Sequence, residues 1–406
     1  MNLPAFIAKR ITFNSQRTFS KLSVRIAIVG IMLSLSVMIL ALGVVKGFKS
    51  EIREKIRGFS GDIIIIKYDL NTSWENSPFI FHPQNFKKVS SFPEIAHAQP
   101  YALKPGIINA NDEVEGVVLK GVDKTYDWDY FKKILVAGKV LNFSDSTAAS
   151  RQILISNVLA KRLKLKVGDD FLMYFVQEPL RKRKFDIVGI YELGVEEVDK
   201  TYVIGDLSLI RRLNNWKKDE VGGYEMRVKD FNSLDATAAK VYEDLDVRLK
   251  SYSIKEWYPT IFQWLSLLDV NTQVILVLML AVAIINMISA LLIIILERTN
   301  MIGILKALGC TNWDIQKIFL TNAAYLIGMG LLLGNLLGLG LGLFQSSSHF
   351  FQLDQASYYM SFIPVELNLI DILLLNAGTL LVCLLVLIVP SMLVTRISPV
   401  KAITFK

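Results

Sequence analysis

The residue types that usually perform catalysis are few in this chain and poorly spaced for it. His82, His97 and His349 are too widely separated to suggest a metal centre, and the two cysteines, Cys310 and Cys383, fall in different segments. No Ser/His/Asp set, no carboxylate pair in a glycine-rich setting and no G-x-x-x-x-G-K-[ST] phosphate loop can be picked out. What does recur at regular spacing suits packing and force transmission. Gly330, Gly334, Gly338 and Gly342 form three overlapping GxxxG motifs, and Gly30 with Ser34 makes a smaller version. Glycine removes side-chain bulk, so a second helix can approach closely where lipid supplies no hydrophobic drive. Two apolar stripes at helical spacing, Phe48/Ile52/Ile56 and Trp257/Ile261/Trp264, are expected to pack together as a stalk. The stretch Glu297–Leu320 predicts a short amphipathic helix over 298–309, with Met301, Ile304, Leu305 and Leu308 on one face. Gly309 should end it, and Thr311 with Asp314 should open the next helix.

The elements that position these residues follow from charge. No Asp, Glu, Lys or Arg occurs between Arg25 and Lys46, Asp269 and Glu297, Lys317 and Asp354, or Asp371 and Arg396, which are runs of 20, 27, 36 and 24 residues. About 20 helical residues cover the roughly 30 Å hydrocarbon core of a bilayer. In 406 residues that are 52% hydrophobic, these runs exclude a soluble enzyme and predict four spans. The first run is longer than a signal-peptide core and is followed by no small-residue cleavage pattern, so it reads as an uncleaved anchor. Lys9, Arg10, Arg17, Lys21 and Arg25 precede it without any acid, and Arg396, Lys401 and Lys406 follow the last run. Both termini are therefore expected to be cytoplasmic.

The expected division is 1–23 as a cytoplasmic or interfacial helix, spans at 24–46, 269–296, 317–345 and 369–394, and a cytoplasmic loop at 297–316. The extracytoplasmic (periplasmic) parts are 47–268 and a short loop at 346–368, and 395–406 is a cytoplasmic tail. Of the basic residues 33 lie in 47–268, and of the acidic ones 31, so the net charge of +8 is mostly topological. No nucleic-acid partner is expected, whereas membrane lipid is. No charge lies at any span centre, which argues against a self-contained ion-coupled carrier. Asn286, Asn322, Asn335 and Asn376 are expected to bond between helices.

The exported segment reads as α+β, without evident chemistry. Strands are expected at 62–67, 114–119, 152–155, 171–175, 185–190, 201–204 and 224–228. Helices are expected at 156–166, 206–213 and 230–247. The helix from the first span should continue to Arg57 with Gly58 as its stop, and that of the second should begin at Trp257. The basic run Arg181-Lys182-Arg183-Lys184 is expected to be a solvated turn. The fold class is thus an α-helical membrane protein with four transmembrane helices plus a large α+β extracytoplasmic domain.

The stretch Glu297-Arg-Thr-x-x-Ile302-Gly-Ile-Leu-Lys-Ala-Leu-Gly309, followed by a glycine-rich span, resembles FtsX-like/MacB-like ABC transporter permeases. Ile397-Ser-Pro-Val-Lys-Ala402 is similar to the family's closing motif, and Phe48–Phe59 with the following isoleucine strand is most similar to the lipoprotein-releasing branch. The resemblance implies a permease without its own ATPase, working as a dimer with a second copy or paralogue and with separate cytoplasmic ABC ATPase subunits that bind ATP and Mg. No cofactor is implied on this chain. Glu297, Arg298, Ile302, Ile304, Leu305, Lys306, Leu308 and Gly309 would couple to that ATPase. The implied task is extraction of lipoprotein cargo from the inner membrane for a periplasmic lipoprotein carrier. Signal transmission to an envelope enzyme and efflux with a separate ATPase are the alternatives. Where the branch grips its carrier with a protruding hairpin, this chain has the short stretch Val176–Lys184, leaving the carrier contact to Arg181, Lys182, Arg183 and Lys184.

Overall fold

A computed structural model describes residues 18–69, 74–81, 83–144 and 146–397. The expected N-terminal helix before Thr18 and the closing motif beyond Ile397 lie outside the described residues. The chain divides into two units: residues 1–50, 264–352 and 362–406 form one, and 51–263 with 353–361 form the other.

The first unit is built from α1 (Thr18–Ser60) up to Ser50, α2 (Pro259–Glu297) from Trp264 on, α3 (Thr299–Ala307), α4 (Asn312–Ser348) and α5 (Leu369–Ser391). Among the described residues four helices, all of these but α3, are long and apolar enough to cross a membrane. Their shared core includes Ile31, Leu35, Ile39, Met287, Leu291, Phe319, Ile327 and Leu387. Asn335 and Asn376 exchange side-chain amide bonds of 2.7 and 2.9 Å between α4 and α5, the interhelical role expected of them. An amide in hydrocarbon has no water to turn to, so the reciprocal pair satisfies both groups.

The second unit is a ten-stranded mixed sheet with helices packed on it. Its strands are β1 (Ile63–Lys67), β2 (Ile95–Ala110), β3 (Glu113–Val122), β4 (Leu135–Gly138), β5 (Gln152–Ser156), β6 (Asp170–Phe175), β7 (Arg181–Tyr191), β8 (Tyr202–Asp206), β9 (Gly223–Val228) and β10 (Leu249–Ser253). The order is β10-β1-β9-β2-β3-β8-β5-β7-β4, and β6 pairs with β2 and β7. Most pairings are antiparallel, but β3–β8 and β5–β7 are parallel. Ser156 and Asp206 cap the helices that follow β5 and β8 by accepting from Leu159 and Ser208 amides, as their sequence positions suggested.

Three sequence expectations are corrected. Gly58 does not stop α1. The helix runs on to Ser60, and Gly61, at φ +72°, ends it by donating its N–H to Arg57 O at 2.9 Å. Gly58 serves close packing instead, because a Cβ there would overlap the Tyr130 ring. The second long helix does not begin at Trp257. Ser253 and Glu256 form a capping box for a single turn, Ile254–Trp257, and Tyr258 breaks the path before α2 starts at Pro259. Proline fits a first helical position and disfavours helix in the residue before it. Finally, Arg181–Lys184 is no turn. It opens β7, paired with β6, and the connection is residues 176–180.

Candidate functional site

At α3, sequence and structure agree on the element but not on its faces. The helix is closed by Gly309 at φ +93°, and Thr311 caps α4 by accepting from the Asp314 amide at 3.2 Å. Ile302 is fully buried in the membrane core, and Met301 and Leu305 pack against that core. Ile304 and Leu308, at 50% and 77% exposure, make the outward apolar stripe, with Ala307 between them. Leu305 is partly buried and turns toward the spans. It points inward because positions 301, 302 and 305 lie one turn apart on the side facing the spans.

Lys306 also turns inward. Its Nζ donates to Val394 O and Ile397 O at 2.8 Å each and to Thr395 O at 3.3 Å. Glu297 closes α2 with one carboxylate oxygen buried and without a hydrogen bond, and Arg298 is the N-cap of α3.

The glycines of α4 face α1. A Cβ at Gly330 would meet Ile31 Cβ at 2.7 Å, one at Gly334 would meet Met32 O at 3.0 Å, and one at Gly338 would meet Ser36 Cα at 3.1 Å. Gly342 faces Leu367 instead, and Gly30 faces Asn286 of α2. Ser36 seals the crossing by donating to Gly334 O at 3.1 Å, and Ser34 is also buried. The ridge is thus a close contact between backbones.

Of the stripe residues, Phe48 and Trp264 meet edge to face with centroids 6.3 Å apart. Ile52, Ile56 and Ile261 are buried in the second unit. Trp257 lies elsewhere, against Tyr252, on a cavity of about 390 Å³ that Trp74, Tyr202 and Leu103 also line. Lys182 and Arg183 are exposed on β7, while Lys184 pairs with Asp170 at 2.8 Å.

Two constellations in the second unit escaped sequence reading. The last turn of α1 ends on a buried pair: Lys120 Nζ, on β3, lies 2.6 Å from Glu225 on β9 and donates to Phe59 O. The ammonium also lies 4.4 Å from the Phe59 ring centroid. Burial pulls the Lys120 pKa down, and Glu225 opposes it. Beside it Arg57 grips Asp62 with two bonds, of 2.5 and 3.0 Å. Only a lysine inside the apolar run Val117–Val122 hinted at this.

The other constellation gathers the 353–361 segment. Lys55 of α1 donates to Tyr359 O at 2.7 Å, and Gln355 to Glu192 at 3.0 Å. Asp199 accepts from the Gly194 amide at 2.8 Å and the Leu193 amide at 3.2 Å. Burial pushes the Asp199 pKa up to about 6. The two amides and Lys55 oppose that, and Glu192 adds to it. A carboxyl raised in the folded state favours folding fully below its ordinary value of 3.8, and that contribution disappears as pH rises through about 6. Lys55 and Glu192 are the charged groups that face Asp199. Between pH 5 and 7.5, the wild-type protein should therefore lose about 1.4 kcal/mol relative to Asp199→Asn, roughly half of the full contribution. Paired thermal melts at the two pH values measure this; parallel behaviour would refute it.

Four helices long and apolar enough to cross a membrane, a short capped helix between two of them and a mixed α+β unit define a membrane protein with a large extramembrane domain. Residues 26–243 match the MacB-like periplasmic core domain and 273–399 the FtsX-like permease C-terminal domain. The chain belongs to the FtsX-like/MacB-like family of ABC transporter permeases. Among similar proteins are the lipoprotein-releasing system transmembrane protein LolE of Haemophilus influenzae, 23% identical over 100% of both chains, and LolC of Neisseria meningitidis, also 23% identical over 100% of both. The periplasmic region of MacB from Actinobacillus actinomycetemcomitans aligns with 52% of this chain and 97% of its own, at 14% identity and a TM-score of 0.35.

Proposed function

We propose that this chain is the permease subunit of an ABC transporter that extracts lipoproteins from the inner membrane and passes them to a periplasmic carrier. The reading rests on full-length similarity to proteins named for lipoprotein release. In it both termini and α3 are cytoplasmic, the α+β unit is periplasmic, and a second permease copy or paralogue completes the transporter. ATP and Mg belong to partner ATPase subunits. Ile304 and Leu308 dock α3 on the ATPase, with Glu297 and Arg298 at the rim. The carrier meets the α+β unit, where Lys182 and Arg183 offer exposed positive charge.

Leu308→Asp tests the docking. At a protein interface the new carboxylate would be buried without a partner, costing about 2–5 kcal/mol. The variant should insert normally yet fail to co-purify with the ATPase, and cargo release from proteoliposomes should stop. If α3 merely lies on lipid, ATPase association will match wild type. Wild-type association and release would remove α3 from the mechanism, and a wild-type complex that releases no lipoprotein would remove the cargo assignment.

A further inference from the structure

Among the described residues, one side chain of α3 makes hydrogen bonds to the termination of the last span. After α5 the chain makes a 3-10 turn, Met392–Arg396. Carbonyls at a helix end have no partner within the helix and carry the negative end of its dipole. Lys306 meets three carbonyls there, those of Val394, which also accepts from Ile397 N–H at 3.4 Å, Thr395 and Ile397, and an ammonium has three protons to donate. Beneath this contact Ile302 of α3 and Val394 are both fully buried in the same apolar cluster, with Ile397 packed against it. The peptide chain already connects α3 to α2 and α4 at its two ends. Its polar link to the end of α5 is this clamp.

We propose that Lys306 is a positioning residue that makes the end of the fourth span move with α3. The assignment rests on the coupling role proposed for α3 and gives its displacement a third recipient besides α2 and α4. Lys306 is then not an ATPase contact, because its ammonium is engaged within the permease. Thr311, Trp313 and Lys317 lie on the other side of Gly309 and take no part in the clamp.

The test compares Lys306→Met, which keeps the aliphatic stem and removes the donors, with Lys306→Arg, which restores donors. Both are made in the full permease. Hydrogen exchange at residues 392–397 reads the clamp without any transport assay. It should rise about tenfold or more in the Met variant, as expected for lost charge-assisted hydrogen bonds, and fall back in the Arg variant. Cargo release per ATP hydrolysed, measured with the ATPase in proteoliposomes, reads the coupling. The Met variant should bind ATPase and hydrolyse ATP as wild type does, with release per ATP falling severalfold and recovering in the Arg variant. Unchanged exchange would overturn the clamp. Loss of ATPase binding would overturn it too, by placing Lys306 at the docking face, and so would altered exchange with unchanged release per ATP. If wild type itself binds no ATPase, the transport reading fails while the exchange result still stands.

Discussion

Lys120→Met should cost the α+β unit about 3–5 kcal/mol, the usual penalty for stranding one charge of a buried pair. Glu225 is 4% exposed and would keep the bond from Gln99 Nε2, at 3.1 Å, but lose the ammonium. The Phe59 carbonyl at the end of α1 would lose its donor as well. For a unit of this size the loss corresponds to a fall in Tm of roughly 10 °C. Melting of the purified full-length permease, followed by tryptophan fluorescence, reads it. The double variant Lys120→Met/Glu225→Leu should recover much of the loss, because two apolar groups leave no charge unpaired. A single variant as stable as wild type would show that water reaches Glu225 and that the pair is not sealed.

Gly334→Leu should damage assembly of the membrane unit, whereas Gly340→Leu, six residues along the same helix, should not. A Cβ at Gly334 already reaches 3.0 Å from both Leu35 Cβ and the Met32 carbonyl, while one at Gly340 meets nothing within 4 Å. The remaining leucine atoms at position 334 can be accommodated only by separating α1 from α4, which also breaks the Ser36 bond to Gly334 O. Overpacking of this kind costs about 1–3 kcal/mol and sometimes more. Yield of monodisperse permease after detergent extraction distinguishes the two variants. Equal yields would mean that the ridge is not a tight crossing. A Gly334→Leu protein that assembles normally but prefers different cargo would make the ridge a substrate lining.

What was legible in the sequence was governed by local rules. Charge-free runs of 20 residues or more predict apolar helices whatever their neighbours, because lipid satisfies no backbone polar group. Thr311 and Gly309 mark helix ends through bonds within one turn, so their roles could be read directly. Reading failed where two local signals competed. β2 holds Pro100 and Pro105, which argue against a strand, yet it is 16 residues long and lies between β3 and β9. Pro259 suits a first turn, and it was the tendency of the preceding residue to leave the helix that decided against a start at Trp257.

The sequence by itself determined the four apolar helices, the capped helix between the second and third, and an α+β unit. Only the tertiary structure decided what each special residue touches. Lys120 and Glu225 are 105 residues apart and Lys306 and Val394 are 88 apart, so no periodicity of the chain pairs them. The glycine ridge announces that some helix comes close, but α1 is its partner because Ile31, Leu35 and Ser36 present the complementary surface. Leu305 and Leu308 look alike on the expected apolar face, and burial against the spans separates the inward residue from the exposed one. A pattern along one helix specifies which face is apolar, whereas the surface that covers it is supplied by distant parts of the chain.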